Sequence, residues 1–185
     1  MSAQKPLMDK QQLAAALDQM AGKILELEPD PQRLAFVGIR TRGINLAERL
    51  KTRLDHQCGI DTPIGALDIT LYRDDLSTLA QQPLVGETHI SFDIEDREIV
   101  LVDDVLYTGR TIRAALDALV DYGRPRRILL AVLIDRGGRE YPIQADVAAM
   151  KISSQPNENV KVHLSEVDGD DKVVLVSKGP EDTHF

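Results

Sequence analysis

Residues 99–111 read Ile-Val-Leu-Val-Asp-Asp-Val-Leu-Tyr-Thr-Gly-Arg-Thr, and this stretch decides the fold. Its first four residues form an unbroken apolar run, which is typical of a strand covered on both faces of a parallel sheet. Two acidic residues and a short turn follow, and Gly109 opens a helix with apolar residues three or four positions apart. In open parallel sheets, ligands bind where strands end and helices begin, so this unit predicts a ligand site.

The rest of the chain repeats the alternation of strand and helix. Apolar strand segments are predicted at 34–39, 64–72, 99–102 and 128–134, near Val147, and at 161–164 and 173–176. Helices are predicted from Asp9 to about residue 28, from Ile44 to Leu54, and after Gly109. Polar sequence without a sustained period spans about 73–91, and a loop of that length is usually a lid or a binding loop. The pattern predicts an α/β fold with a mainly parallel sheet, in a single domain over residues 1–185.

Composition excludes several classes of function. The 185 residues include 22 basic and 30 acidic side chains, a net charge of −8, which is unfavourable for a nucleic-acid binder. The single cysteine, Cys58, excludes a disulfide framework and a cysteine-based zinc site. The longest apolar run is too short to span a bilayer, and the first ten residues lack a signal-peptide pattern. We therefore expect a cytoplasmic protein without a membrane partner.

The residues after the 99–102 strand combine two kinds of binding chemistry. The helix N-terminus offers unpaired N–H groups to a phosphate, Thr108 and Thr111 add hydroxyls, and Gly109 allows a close approach. Asp103 and Asp104 would repel a phosphate, but they suit vicinal ribose hydroxyls or a hydrated Mg²⁺ ion. Phosphate and ribose sites side by side indicate a phosphorylated sugar as ligand. An isolated Asp-Asp pair would more often be a solvated turn, and the flanking strand and helix decide against that alternative.

Residues 99–111 resemble the 5-phosphoribosyl-1-pyrophosphate (PRPP) motif of type I phosphoribosyltransferases. Further segments resemble the bifunctional pyrimidine operon attenuation regulators with uracil phosphoribosyltransferase activity; they are residues 38–43, 68–75, 121–125, 133–137 and 140–143. The resemblance covers most of the chain, from about residue 34 to residue 177. It implies a mainly parallel central sheet flanked by helices, with a small hood and a mobile loop.

The resemblance also implies the substrate-binding residues. The loop of residues 38–43, which includes Thr41 and Arg42, would hold the diphosphate of PRPP. Arg73 in the mobile loop would stabilise the departing diphosphate. Arg136 and Val160 would surround the nucleobase, Val160 mainly through its backbone. The complete set is Thr41, Arg42, Arg73, Asp103, Asp104, Val105, Leu106, Tyr107, Thr108, Gly109, Arg110, Thr111, Arg136 and Val160. No resident metal ligand and no side-chain general base is assigned.

The implied reaction converts uracil and PRPP to UMP and diphosphate, with Mg²⁺ carried by PRPP. Two alternatives stay open: an RNA-binding attenuation regulator that senses UMP and PRPP, and a phosphoribosyltransferase for a purine base. The family also implies a homo-oligomer, a dimer or larger, and pyrimidine-operon mRNA as a partner. Residues 18–23 of the first helix are less basic than in the RNA-binding members, so we expect weak RNA binding at most.

Overall fold

Two sheets, one parallel and one antiparallel, organise the residues that the computed structural model describes, which are 4–70 and 87–177. The strands are β1 (Gln4–Met8), β2 (Leu34–Ile39), β3 (Ile64–Leu67), β4 (Glu98–Leu106), β5 (Arg127–Asp135), β6 (Val147–Lys151), β7 (Glu158–His163) and β8 (Lys172–Ser177). The helices are α1 (Lys10–Leu27), α2 (Arg42–Cys58), α3 (Arg110–Val120) and α4 (Ser165–Asp168). None of these helices has the length and apolar character needed to cross a membrane.

The larger sheet has five parallel strands in the order β3-β2-β4-β5-β6. Both of its faces are covered, which explains why the six residues of β2 are all buried. Leu34 and Phe36 pack with α1 and α2 on one face, while Ala35 and Val37 pack with α3 on the other. The predicted α/β class with a mainly parallel sheet is confirmed.

The smaller sheet is antiparallel, with the order β1-β8-β7. Val160 and Val162 of β7 and Val173 and Leu175 of β8 join the same apolar cluster as α1, so this sheet packs against the α1 side of the molecule. The predicted small hood corresponds to this sheet. The short helix α4 connects β7 to β8.

Three boundaries differ from the sequence-based prediction. β4 does not end at Val102 but continues to Leu106, because its later residues pair with β5. The strand predicted at 64–72 ends at Leu67. The predicted 73–91 loop lies mostly outside the described residues. At the end of this loop that the structure describes, His89 exchanges two backbone hydrogen bonds with Ala66, at 2.8 and 2.9 Å.

Candidate active site

A cavity of about 550 Å³ opens at the C-terminal edge of the parallel sheet. β2, β3 and β4 all end there. In the described part of the chain the cavity is lined by Ile39, Arg40, Thr41, Arg42, Asp68, Ile69, Thr70, Asp103, Asp104, Val105 and Thr111. Six of the predicted site residues are thereby brought together from two separate βα units: Thr41, Arg42, Asp103, Asp104, Val105 and Thr111.

The acidic pair is largely withdrawn from solvent: Asp103 is buried and Asp104 is half-buried. β2 stops pairing with β4 at Val102, so Asp103 and Asp104 extend beyond the covered part of the strand. Asp103 is only 7% exposed, and within the described residues neither carboxylate forms an ion pair. One oxygen of Asp103 accepts the backbone N–H of Asp104 at 2.9 Å, and Asp104 accepts that of Val105 at 2.9 Å. Such a pair is costly to bury unless a ligand satisfies it.

Burial also changes how the pair titrates. It raises the pKa of Asp103 well above the usual range, and the neighbouring charge of Asp104 raises it further. Burial likewise raises the pKa of Asp104, although the hydrogen bonds to its carboxylate and the positive charge of Arg42 oppose the rise. A cation or a pair of hydroxyl donors would therefore favour the deprotonated form of both groups.

The oxygens of this pair fit a magnesium ion that arrives with its ligand. In the described residues no group of three or more His, Cys, Asp or Glu side chains is arranged to hold a metal. Mg²⁺ commonly binds one or two carboxylates and completes its octahedral shell with water and substrate oxygens. The donor set suits a substrate-borne ion better than a resident one.

The turn between β4 and α3 is built for close approach of an anion. Gly109 precedes α3 with a φ of 91°, and a Cβ atom there would lie 3.1 Å from the Cβ atom of Tyr141. The carbonyl of Thr108 accepts the N–H groups of Glu140 and Tyr141 at 2.9 and 3.0 Å, which fixes the turn. The N–H of Arg110 donates to Thr108 Oγ1 at 3.3 Å, and the first turn of α3 contains no acidic residue, so the helix dipole favours a phosphate at this end.

The loop before α2 carries the positive charge of the cavity. Gly43 lets α2 approach β4, because a Cβ atom there would lie 2.5 Å from the carbonyl oxygen of Val102. The Arg40–Thr41 peptide bond is cis. Arg42 lies at the start of α2 and forms a two-point ion pair with Asp168 of α4, with contacts of 3.2 and 2.7 Å. The hydrogen bonds from Arg42 hold the pKa of Asp168 below its usual range.

Arg136 lies on the other side of the acidic pair, directly after β5. Its side chain is 6% exposed, and the guanidinium carbon lies 3.9 Å from the centroid of the Tyr107 ring. It donates hydrogen bonds to Ser154 Oγ at 2.9 Å and to the carbonyl of Glu158 at 2.7 Å. Arg136 thus stacks on the Tyr107 ring and is anchored to the edge strand β7.

Four other predicted residues have different surroundings. Leu106 is 1% exposed and packs in the apolar cluster of α3, while its carbonyl accepts the backbone N–H of Arg136 at 3.0 Å. The side chain of Val160 is also in the core, which leaves only its backbone for binding. Arg110 forms an ion pair with Glu140 at 2.6 Å. Arg73 lies outside the described residues.

The sequence-based set omitted five residues that line the cavity: Ile39, Arg40, Asp68, Ile69 and Thr70. Asp68 directly follows β3, and its Oδ1 accepts the N–H of Thr70 at 2.7 Å. The rule that identified Asp103, a polar residue at the C-terminal edge of a parallel strand, applies equally to Asp68.

The chain is similar to several known proteins in sequence and in fold. Residues 3–166 match the family model described as phosphoribosyl transferase domain. The chain is 52% identical to the bifunctional protein PyrR of Deinococcus radiodurans over 176 residues, covering 95% of each chain. It is 54% identical to the bifunctional protein PyrR of Thermus aquaticus over 172 residues, covering 93% of this chain and 95% of the relative.

Solved structures share the fold at much lower identity. A hypoxanthine-guanine phosphoribosyltransferase from Bacillus anthracis superposes with a TM-score of 0.69 at 15% identity, covering 92% of this chain and 96% of that one. The hypoxanthine phosphoribosyltransferase of Trypanosoma cruzi gives a TM-score of 0.68 at 17% identity, covering 95% and 97%. These similarities support the fold, while the base specificity must come from the site itself.

Proposed function

Because the chain belongs to the phosphoribosyl transferase family, and within it to the bifunctional PyrR proteins, we propose that it transfers the phosphoribosyl group of PRPP to uracil. The predicted family, fold and enzyme class, a phosphoribosyltransferase, are confirmed. The observation that carries the proposal is the single strand–turn–helix unit that places a buried and a half-buried carboxylate beside the N-terminus of α3 in one cavity.

Each part of PRPP has a matching group at this edge of the sheet. The 5-phosphate would bind the turn from Tyr107 to Thr111 at the N-terminus of α3. The ribose hydroxyls, or the Mg²⁺ ion that PRPP carries, would meet Asp103 and Asp104, neither of which forms an ion pair among the described residues. The diphosphate would bind at Thr41 and Arg42.

The reaction exchanges one bond at the anomeric carbon for another. The bond between uracil N1 and ribose C1 forms, the bond between C1 and the diphosphate oxygen breaks, and the diphosphate keeps the electron pair. The N1 proton of uracil passes to water. Positive charge develops on the ribose during this step, as in glycoside cleavage. The protein contributes by positioning both reactants and by stabilising the leaving diphosphate with Arg42 and, we propose, Arg73.

The nucleobase would lie beside Arg136, along the free edge of β7. β7 is an edge strand, and the N–H and carbonyl of Glu158 bond to Gln155 and Arg136. Residues two apart in an antiparallel strand direct their backbone groups to the same side, so those of Val160 face the same edge. One N–H and one carbonyl at that edge match the acceptor and donor of a uracil ring.

The experiment is an assay of diphosphate release from PRPP with uracil, hypoxanthine and adenine as separate acceptors. We expect release with uracil alone, accompanied by UMP in equal amount. The double variant Asp103→Asn, Asp104→Asn serves as the inactive control. Release with hypoxanthine or adenine but not with uracil would replace the proposal by the purine alternative.

A second function is suggested by the relatives, which are named bifunctional. We propose that regulation of pyrimidine genes through their mRNA is secondary to the enzyme activity and responds to UMP. We further propose that residues 1–185 form one domain, that the protein is cytoplasmic, and that it assembles into a homo-oligomer.

A further inference from the structure

A side-chain pair at α4 joins the small antiparallel sheet to the substrate cavity. Asp168 ends α4, and its two carboxylate oxygens accept Arg42 Nε at 3.2 Å and Arg42 Nη2 at 2.7 Å. Two parallel contacts fix both the position and the plane of a guanidinium group. Asp168 is not among the predicted substrate-binding residues, although its partner, Arg42, is proposed to hold the diphosphate.

Asp168 is itself held firmly. One of its oxygens also accepts the backbone N–H of Leu164 at 2.9 Å, which anchors the carboxylate to the residue before α4. His163 Nδ1 lies 4.0 Å from the other oxygen. The side chain is 17% exposed and that of Arg42 is 33% exposed, so the pair is partly shielded from solvent.

The contact leaves part of Arg42 unused. Asp168 occupies Nε and Nη2, and Nη1 forms no hydrogen bond within the described residues. Arg42 also lies close enough to Asp104 for its charge to oppose the rise in the pKa of that carboxyl group. The guanidinium therefore lies between the small sheet and the acidic pair, with its remaining donors available at the cavity it lines.

We propose that Asp168 is a positioning residue: it orients Arg42 so that the free donors of the guanidinium face the diphosphate of PRPP. A long arginine side chain loses considerable rotamer freedom when it binds a ligand, and an orienting partner reduces that loss beforehand. The inference rests on the proposed function, since it requires a ligand that carries a diphosphate.

The chain provides a matched control on the same two helices. Arg49 of α2 forms a two-point ion pair with Glu166 of α4, with contacts of 2.8 and 2.6 Å. This pair also joins α2 to α4, but it does not line the cavity. Arg49 additionally contacts Asp171 at 2.7 Å, so it keeps a partner when Glu166 is neutralised. Neutralising either carboxylate weakens the contact between α2 and α4. Of the two arginines in these pairs, Arg42 lines the cavity and Arg49 does not.

The test compares Asp168→Asn with Glu166→Gln in the full chain, using calorimetry with Mg²⁺–PRPP and separately with UMP. Asparagine keeps an oxygen for Leu164 but loses the charge that orients Arg42. For Asp168→Asn we expect the Kd for PRPP to rise about tenfold, while the Kd for UMP, which has no diphosphate, changes less than about twofold. Glu166→Gln should leave both constants within about twofold.

A third variant, Arg42→Ala, checks that Asp168 acts through Arg42. In that background Asp168→Asn should cause no further loss of PRPP affinity. Equal weakening of PRPP and UMP by Asp168→Asn would show a purely structural role and overturn the inference. Tighter PRPP binding, an undiminished effect in the Arg42→Ala background, or an equal effect of Glu166→Gln would overturn it as well.

Failure of the proposed function would look different. If the unaltered chain bound PRPP and UMP with the expected contrast between the variants but released no diphosphate with uracil, the acceptor assignment would fail and the role of Asp168 would stand. If the unaltered chain bound neither ligand, both proposals would fall together.

Discussion

β4 carries a buried carboxylate near each end, and the two have opposite surroundings. Glu98, at the N-terminal end, is 3% exposed; it accepts a hydrogen bond from Arg127 Nε at 2.6 Å and forms an ion pair with Arg126 Nε at 3.3 Å. Asp103, five residues later, is 7% exposed, and its nearest charged neighbour is another carboxylate, Asp104. One strand therefore contains a compensated buried charge and an uncompensated one.

The difference separates a structural carboxylate from a functional one. Arg127 also donates to the carbonyl of Leu27 at 3.0 Å, so the cluster around Glu98 connects β4 and β5 to the end of α1. Its contribution to the stability of the fold is a sufficient explanation for that arrangement. At the other end of the strand, burying two adjacent carboxylates disfavours the folded state unless a ligand supplies the missing positive charge or hydrogen-bond donors.

The largest expected effect tests the functional end. The double variant Asp103→Asn, Asp104→Asn should lower kcat/KM for PRPP by at least about a thousandfold, because it removes two charge-assisted contacts worth roughly 2 kcal/mol each. Thermal unfolding should show an intact fold. Steady-state kinetics with uracil measures the loss, and a normal kcat/KM would remove the ribose and magnesium site from this strand end.

The next prediction concerns the structural end. Glu98→Gln should lower the free energy of unfolding by about 2 kcal/mol, since a neutral amide cannot replace the charge-assisted hydrogen bond to Arg127 and the ion pair with Arg126. The arginines are about half exposed, and solvent moderates the cost of leaving them unpaired. Urea denaturation measures the change. Activity should stay within about twofold, and a large loss of kcat/KM would erase the distinction between the two ends.

A smaller effect depends on pH. Because burial raises the pKa of Asp103, the folded chain retains a proton that the unfolded chain releases, so this group lowers stability as the pH rises above about 4 towards the raised pKa. Asp103→Asn removes that penalty. The variant should match the original chain near pH 4 and be the more stable of the two at pH 8.

Denaturation curves at the two pH values check this sign. Glu98→Gln provides the contrast, because its effect should remain a destabilisation at pH 8. If Asp103→Asn destabilised the protein at pH 8, the carboxylate would have a structural partner that the unliganded site does not show.

Local sequence was sufficient for the functional end of β4. The apolar run, the Asp-Asp pair and Thr-Gly-Arg-Thr are adjacent in the chain, so their placement follows from one βα unit. The continuation of β4 through Asp103 was not predicted because acidic residues are poor strand formers, and pairing of Asp103 with Val132 overrides that preference. Pairing across a sheet is not visible in a local pattern.

Other features depended on contacts between distant residues. Arg42 and Asp168 are 126 positions apart, and Arg127 and Glu98 are 29 apart, so no spacing rule connects them. β1 was missed because Gln4–Met8 contains Pro6 and shows no clear alternation. It is an edge strand of the small sheet, where a proline is tolerated.

The smallest expected effect concerns RNA and again depends on the structural end of the sheet. The basic residues considered for RNA contact are Arg124, Arg126, Arg127, Arg139, Lys151 and Lys161. Arg126 and Arg127 already neutralise Glu98, and Arg139 is paired with Asp135 at 2.7 Å. Arg124, Lys151 and Lys161 are exposed and form no ion pair within the described residues, which leaves about three cations in a chain of net charge −8.

We therefore expect weak binding of a pyrimidine-operon leader RNA, with about three phosphates neutralised. For single-stranded contacts this gives a slope near −2 in a plot of log K against log salt concentration, so binding should be small at physiological salt. Fluorescence anisotropy with a labelled leader hairpin measures the slope, and Lys151→Gln with Lys161→Gln should reduce it while leaving uracil turnover unchanged. Glu98→Gln would release two arginines and should strengthen binding slightly. Tight binding at physiological salt, strengthened by UMP, would instead make regulation a primary function and locate its surface outside these residues.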